Sequence, residues 1–366
     1  MNAGRDLEYM ALAYGLAAQA AGRTSPNPCV GAVLVKGGKI VGHGYHEAAG
    51  RPHAEAVALA RAGAAAKGAT LYVTLEPCVH WGRTPPCIDA VLAAGIARVV
   101  VSDRDPNPIV NGRGLARLKQ AGIKTSIGLM AERNRALNAG FIKRITTGMP
   151  LVTLKAALSL DGRMATRTGE ARWITGPAAR AYAHLVRAEH DAVLIGAGTA
   201  QSDDPRLTVR LPGRRAKPIL RVVLDGGFRL SPKARMFEDM SGGPVLVFGH
   251  AGADEKRRSA LERAGAETTV VKSAAGAVSL KAVLKKLAER GIASVLIEGG
   301  GRLATSVLEG SLADRGLFLV APRLVGGRDA VSVYGGRGPA RLEDSLRLRD
   351  VRSFRLGDDI AIEGTF

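Results

Sequence analysis

Short apolar runs separated by helix-length stretches limit most strongly what this 366-residue chain can become. Leu7, Met10, Ala11, Tyr14, Ala17 and Ala18 recur at spacings of three and four, which predicts an opening helix. Residues 30–35 read as a buried strand, Gly37-Gly38 as a two-residue hairpin turn and 39–45 as its antiparallel return. An Ala-rich helix over 53–66 and a strand over 70–75 follow. A helix over 86–94 opens on prolines that a helix start tolerates. Then come a strand at 97–102, a helix at 115–121, a strand at 123–127 and a helix from 131 to about 144. The polar, Pro-ended stretch 146–150 is the predicted linker between domains 1–145 and 151–366. Beyond it, strand-like segments at 151–158, 192–195, 219–224, 245–248, 268–271, 293–297 and 317–320 alternate with helical stretches, and 360–366 reads as a closing strand. Two α/β domains follow, the second built on a largely parallel sheet covered by helices.

Charge decides which partners such a chain suits. The formal excess of +19 is split evenly, +9 over residues 1–150 and +10 over the rest. No block of five Lys or Arg occurs, and aromatic residues that could stack on bases are few. That distribution argues against a nucleic-acid surface and for a diffuse field favouring small anions such as phosphates. No uncharged run reaches about 18 apolar residues, so no membrane partner is expected. The N-terminus carries acids where a signal peptide would not, which predicts a soluble cytoplasmic protein.

Three cysteines are too few, and odd in number, for a disulfide framework. Two of them complete a pattern: His53-Ala54-Glu55, then Pro77-Cys78, then Cys87 nine residues on. A catalytic zinc takes three protein ligands and keeps one position for water, which one imidazole and two thiolates provide. A carboxylate outside the ligand set must then move protons. Glu55, two residues past His53 on the first turn of a helix, is placed for that work. Cys87 opens the next predicted helix, where backbone N–H groups favour a thiolate. H-x-E followed by P-C-x-x-C is the pattern of zinc nucleobase deaminases. Here eight residues separate the cysteines instead of two. A structural zinc would need a fourth ligand, and Cys29, behind Pro28, reads as a small buried hydrophobe.

The run Glu76-Pro77-Cys78-Val79-His80-Trp81-Gly82-Arg83-Thr84-Pro85-Pro86-Cys87 resembles the deaminase half of the bifunctional riboflavin-biosynthesis deaminase–reductases. Residues 26–31 and 103–108 carry the same resemblance, while Val79 and Trp81 stand where that family has Ser and Tyr. It implies a cytidine-deaminase-like α/β/α layer with Asn27 and His80 lining a pyrimidine pocket. Taken alone, those two read equally well as turn and loop-surface residues. The implied reaction is hydrolytic deamination of 2,5-diamino-6-(5-phosphoribosylamino)pyrimidin-4-one, with Glu55 as acid and base.

Residues 155–163, 169–175, 191–199, 203–205 and 297–301 resemble the family's reductase half, which has a dihydrofolate-reductase-like fold. The resemblance implies NADPH contacts at Ala157, Trp173, Thr199, Asp203, Gly226, Gly300, Gly301, Arg302, Leu303, Ala304, Thr305 and Ser306. It implies substrate contacts at Ala171, Arg187, Leu207, Arg210 and Glu298, the two arginines suiting a phosphate. Ala171 departs from the family's usual Ser and so loses one hydroxyl contact. Lys155 is the cation expected near the sugar. Bottom-up, the glycines 299–301 sit between a predicted strand and a helix, a turn that turns N–H groups toward a phosphate. Gly196-Ala197-Gly198 also follows a strand, but Gln201 occupies the third-glycine position, so this is no Rossmann fingerprint. Hydride transfer from NADPH would open the ribosyl ring to a ribityl chain, and the resemblance also implies a homo-oligomer, dimer or tetramer. Two rivals stand beside this reading: a single-activity nucleobase or RNA deaminase with a degenerate second domain, and a zinc-stabilised nucleic-acid-binding module. The enlarged loop, the scattered charge and the intact glycine turn count against the first. The second needs a fourth ligand and a concentrated basic face.

Overall fold

Side chains of alternate parity along the central strands of the first half find cover on opposite faces. The computed structural model describes residues 3–82, 85–211, 218–274 and 277–366, and the chain divides into two compact units, Met1–Met149 and Pro150–Phe366. In the first unit β1 (Gly31–Lys36), β2 (Lys39–Tyr45), β3 (Thr70–Leu75), β4 (Arg98–Asp103) and β5 (Lys124–Ile127) form one sheet in the order β2-β1-β3-β4-β5. β1 is antiparallel to β2 and β3, and β3, β4 and β5 run parallel. Val33, Val35, Tyr72 and Val100 pack with Met10 and Ala13 of α1 (Ala3–Ala18). Ala32, Leu34, Leu71, Val73, Val99 and Val101 pack on the other side with α2 (Ala54–Ala62), α3 (Cys87–Ala93) and α4 (Arg113–Gln120). Burial on both faces is why these strands read as continuous apolar runs. A Cβ at Gly42 would lie 2.3 Å from the Ala58 carbonyl oxygen, so only glycine lets α2 settle this close to β2.

The helix expected from 131 to about 144 is two helices, α5 (Ala131–Leu137) and α6 (Ala139–Thr147). Buried Asn138 interrupts them and clamps a distant segment. Its Oδ1 accepts from Cys29 N at 2.7 Å, and its Nδ2 donates to Cys29 O at 3.0 Å. Because α6 runs through Thr147 to a left-handed Gly148, Thr146 and Thr147 of the expected linker are helical.

In the second unit β6 (Leu151–Ser159), β8 (Ala192–Gly196), β9 (Leu220–Leu224), β10 (Val245–Gly249), β11 (Ala266–Val270), β14 (Ser294–Ile297), β15 (Arg315–Ala321), β17 (Arg349–Leu356) and β18 (Asp359–Thr365) form a nine-stranded sheet. Its order is β11-β10-β9-β8-β14-β6-β15-β18-β17, parallel except where β18 joins β15 and β17. Short pairs β7 (Arg163–Ala165) with β16 (Val331–Ser332), and β12 (Ser273–Ala274) with β13 (Ala277–Val278), lie outside it. α7 (Pro177–Glu189), α8 (Ala197–Asp203), α9 (Glu255–Arg263), α10 (Leu280–Glu289) and α11 (Gly301–Glu309) link the parallel strands. β17 was not expected from sequence: it is an edge strand, exposed at most positions, with Arg349, Arg352 and Arg355 along it. Arg221 on β9 is fully buried and paired to carbonyls, donating to Met236 O at 2.6 Å and to Arg206 O at 3.1 Å. That ties the loop after α8 to the sheet. No helix among the described residues is long and apolar enough to cross a membrane.

Replacing Asn138 with Ala removes both of its bonds to the Cys29 backbone. Asn138→Ala is expected to cost about 2 kcal/mol of stability, read as a lower urea midpoint with an unchanged slope.

Candidate active sites

His53 is the N-cap of α2 in extended conformation (φ −73°, ψ 161°), and Glu55 follows in the first turn, buried. Cys78 leaves β3 through Glu76-Pro77, and Cys87 is the first residue of α3. These elements bring His53, Cys78 and Cys87 together with their ligand atoms all within 4.8 Å of one another. His53 Nδ1 lies 3.1 Å from Cys87 Sγ and 3.6 Å from Cys78 Sγ. Tetrahedral zinc, with bonds of about 2.1 Å to nitrogen and 2.3 Å to sulfur, would set such a pair about 3.5 Å apart. The three residues fit a zinc ion with shifts of a few tenths of an ångström.

Two short bonds lock the cysteines together independently of the loop between them. Cys87 N donates to Cys78 Sγ at 3.2 Å and Ile88 N to Cys78 O at 3.2 Å. Cys78 is held down to about 4, chiefly by the hydrogen bond from the Cys87 thiol, with His53 assisting against burial. The same bond, with burial, pushes Cys87 up. Burial, then the Cys78 charge, pushes the Glu55 carboxyl up to about 7. A carboxyl poised there can both take and give a proton near neutrality.

A pocket of ≈ 310 Å³ opens over this cluster, lined among others by Asn27, His46, His80 and Asp105. His80 Nδ1 is buried without a hydrogen-bond partner among the described residues, which fits a group that awaits a ligand. Val79 packs on the core, whereas Trp81 is 76% exposed. Arg83 and Thr84 of the quoted run lie outside the described residues.

Two residues of this site escaped the sequence reading. His46, buried, has Nδ1 3.2 Å from Pro52 O and Nε2 3.1 Å from Asn27 Nδ2, so its ring donates to the carbonyl and accepts from the amide. That orients Asn27. Glu76, buried, accepts from Asp105 N, Gly112 N and Leu115 N at 3.3, 2.9 and 3.1 Å. Its carboxylate moors the Cys78 segment to the loop after β4. Only the order Glu-Pro-Cys hinted at this.

In the second unit Thr199 and Asp203 follow β8, Gly226 follows β9 and residues 300–306 follow β14, while Ala157 lies on β6 and Trp173 between β7 and α7. Thr199 Oγ1 accepts from Gly300 N at 3.0 Å, joining α8 to the start of α11. The first-turn N–H groups of Gly301 and Arg302 have no partner among the described residues. A Cβ at Gly301 would meet Ser332 O at 2.3 Å, so glycine is required there. Thr305 Oγ1 donates to Gly301 O and accepts from Gly335 N, and Ser306 bonds back to Arg302 O. Leu303 is half-buried, but Ala304 is wholly buried and has no side-chain surface to offer a ligand. Gly226 lines a cleft of ≈ 470 Å³ with Leu224, Arg229 and His250. Ala157 is half-buried on β6, and Asp203 closes α8 with its carbonyl bonded by Arg172. Trp173 is exposed, with the Arg180 guanidinium 4.5 Å above its ring. Open clefts, two unpaired N–H groups and nearby arginines fit a phosphate-bearing dinucleotide such as NADPH.

The residues expected at the substrate do not all do the same thing. Arg187 grips Glu298 with both arms, at 2.8 and 3.0 Å, and donates to Thr208 O at 2.7 Å. Lys155 Nζ stands 3.6 Å from the same carboxylate. Leu207 is buried with a left-handed φ of 55°, Arg210 is exposed beside His184, and Ala171 is half-buried. Burial alone would raise Glu298, but Arg187 and then Lys155 hold it down to about 2.

Comparison with known proteins points to the same two units. Residues 4–103 match the cytidine and deoxycytidylate deaminase zinc-binding region, and residues 150–362 match the RibD C-terminal domain. Riboflavin biosynthesis protein RibD of Aquifex aeolicus is 43% identical over 98% of this chain and 97% of its own length. That of Escherichia coli K12 is 42% identical over 98% of each. Acinetobacter baumannii RibD has a similar structure, with a TM-score of 0.90 at 38% identity over 99% of each chain. A Thermotoga maritima protein described as a diaminohydroxyphosphoribosylaminopyrimidine deaminase/5-amino-6-(5-phosphoribosylamino)uracil reductase gives 0.87 at 34% identity over 99% of each. Fold and site thus define a bifunctional enzyme, a zinc-dependent cytidine-deaminase-like unit followed by an NADPH-dependent, dihydrofolate-reductase-like unit. The chain belongs to the RibD family of riboflavin biosynthesis.

Because the Glu298 pKa is depressed on folding, its stabilisation is full above the unfolded value of 4.5 and is lost as pH falls toward about 2. Unfolding free energies of the parent and Glu298→Gln are expected to converge by about 3 kcal/mol between pH 6 and pH 2. A constant gap across that range would contradict the ion-pair account.

Proposed function

We propose that the first unit hydrolyses the 2-amino group of 2,5-diamino-6-(5-phosphoribosylamino)pyrimidin-4-one, and that the second reduces the ribosyl group of the resulting 5-amino-6-(5-phosphoribosylamino)uracil to ribityl. The observation that carries this reading is the convergence of His53, Cys78 and Cys87 beside buried Glu55 under a pyrimidine-sized pocket. His53, Cys78 and Cys87 would hold the zinc. When bound, zinc lowers the pKa of a water toward neutrality. Glu55 takes the proton of the attacking water, passes it to the adjacent ring nitrogen, and assists the departing ammonia in turn. Asn27, oriented by His46, keeps its amide oxygen for the ring's edge, and His80 brings an unsatisfied ring nitrogen.

When bound in the second unit, NADPH would supply the hydride for reduction of the ribosyl group. Thr199, Gly300, Gly301 and Arg302 would hold the cofactor's phosphates, while Ala157, Trp173, Asp203, Gly226, Leu303, Ala304, Thr305 and Ser306 would border it. The buried Glu298, fixed by Arg187 and Lys155, meets the sugar together with Leu207. The same reading places the protein in the cytoplasm as a homo-oligomer without a nucleic-acid partner. Charge spread evenly over both units supports the last point.

Zinc-loaded protein given the diaminopyrimidinone is expected to release ammonia first and to oxidise NADPH only afterwards. Glu55→Gln should keep its zinc and lose ammonia release on the order of 10³-fold. The same variant should still oxidise NADPH when supplied with the uracil directly. Loss of zinc, or unchanged deamination, would reject Glu55 as the proton carrier. Restoring the hydroxyl with Ala171→Ser is expected to lower KM for the uracil about three- to tenfold at unchanged kcat.

A further inference from the structure

The last two helices of the first unit turn asparagines inward where helices usually bury apolar residues. Asn134 on α5, Asn138 at the break and Phe141 on α6 are buried, and half-buried Arg144 follows. Spacings of four, three and three set them in one row. That row meets a stretch of main chain. Residues 26–29 run up to β1, whose ladder begins only at Gly31, so their peptide groups need partners elsewhere. Asn138 supplies both at Cys29. Its Nδ2 also donates to Asn134 Oδ1 at 3.1 Å, which leaves the amide no freedom to flip. Arg144 Nη2 donates to Pro26 O at 3.1 Å.

Between these two anchors stands Asn27, which lines the pocket over the zinc ligands. Pro28 joins it to Cys29, and a proline ring fixes its own φ and disfavours helical angles at the residue before it. A shift of the Cys29 backbone therefore passes to Asn27, whose amide end alone is held by His46. Phe141 lines the same pocket, the one Phe, Tyr or Trp to do so among the described residues. A pyrimidine has polar edges, which Asn27, His80 and Asp105 suit, and two faces that call for flat, apolar cover. α6 thus brings a ring for the face and an anchor for the edge. It lies beyond residue 103, where the match to the cytidine and deoxycytidylate deaminase zinc-binding region ends.

We infer that α6 is a wall of the deaminase site: Phe141 lies against the face of the substrate's pyrimidine, and Asn138 is a positioning residue that sets Asn27 through the Cys29 backbone. The assignment rests on the reading above that the first unit takes the diaminopyrimidinone. Neither residue supplies a metal ligand or a proton, so both act on binding. A contact made alike with substrate and transition state shows in KM and leaves kcat alone.

Ammonia release by the zinc-loaded, full-length protein tests it. Phe141→Leu, which stays apolar but loses the flat ring, is expected to raise KM for the diaminopyrimidinone about fivefold with kcat within about twofold. Phe141→Tyr, which keeps the ring, should recover most of that loss. Asn27→Ala should raise the same KM about tenfold and Asn138→Ala about fivefold. If Asn138 acts through Asn27, the double variant stays within about twofold of Asn27→Ala, whereas independent effects would multiply to about fiftyfold. Each variant should keep the parent's zinc content and oxidise NADPH at the parent's rate when given the uracil directly. A parent-like KM in Phe141→Leu would overturn the face contact, and multiplying losses would overturn the positioning role. Loss of zinc in Phe141→Leu or in Asn138→Ala would make α6 a prop for the metal site and overturn the assignment as well. If the parent itself releases no ammonia, the underlying reading falls and takes the assignment with it. Deamination by the parent with indifferent variants removes the assignment alone.

Discussion

A strand buried on both faces can offer chemistry only at its ends, and both units are organised by that constraint. In the first, Glu76, Pro77 and Cys78 follow β3, and the segment holding Asp105 follows β4. In the second, Thr199 follows β8, Gly226 follows β9, and Glu298 with its three glycines follows β14. Parallel strands deliver these loops to one edge of each sheet, where ligands bind in open α/β folds. The helices between them serve mainly to cover the faces, and their first turns do the rest: α2 presents His53 and Glu55, α3 presents Cys87, and α11 presents unpaired N–H groups.

Three buried glutamates show how environment divides the labour of one side chain. Glu76 is met by backbone N–H groups, and it holds loops in place. Glu298 is met by a guanidinium and an ammonium and stays ionised. Glu55 has burial and a neighbouring thiolate instead, and is left poised to exchange a proton. The first is structural, the second is a fixed charge, and the third is chemistry.

Much of this was legible in sequence, for identifiable reasons. Doubly buried strands leave unbroken apolar runs, so β1, β3, β4 and the parallel strands of the second sheet stood out. His53, Glu55, Cys78 and Cys87 were legible because one metal needs particular residue types at particular spacings, and the structure brings the three ligand types together. Edge strand β17 was not, since solvent on one side removes the apolar pattern and leaves arginines. Nor was the break at Asn138, because the competing partner, Cys29, is 109 residues away. His46 and Glu76 are held by contacts that no local pattern announces.

The bonds from Cys87 N and Ile88 N to Cys78 reach across the intervening loop without using any of its residues. The metal's geometry is therefore insulated from whatever lies between the two cysteines. That loop can lengthen, exchange residues or drift in sequence, as Val79 and Trp81 already suggest, while the ligand atoms keep their separations. Substrate range and metal affinity become separable traits under selection.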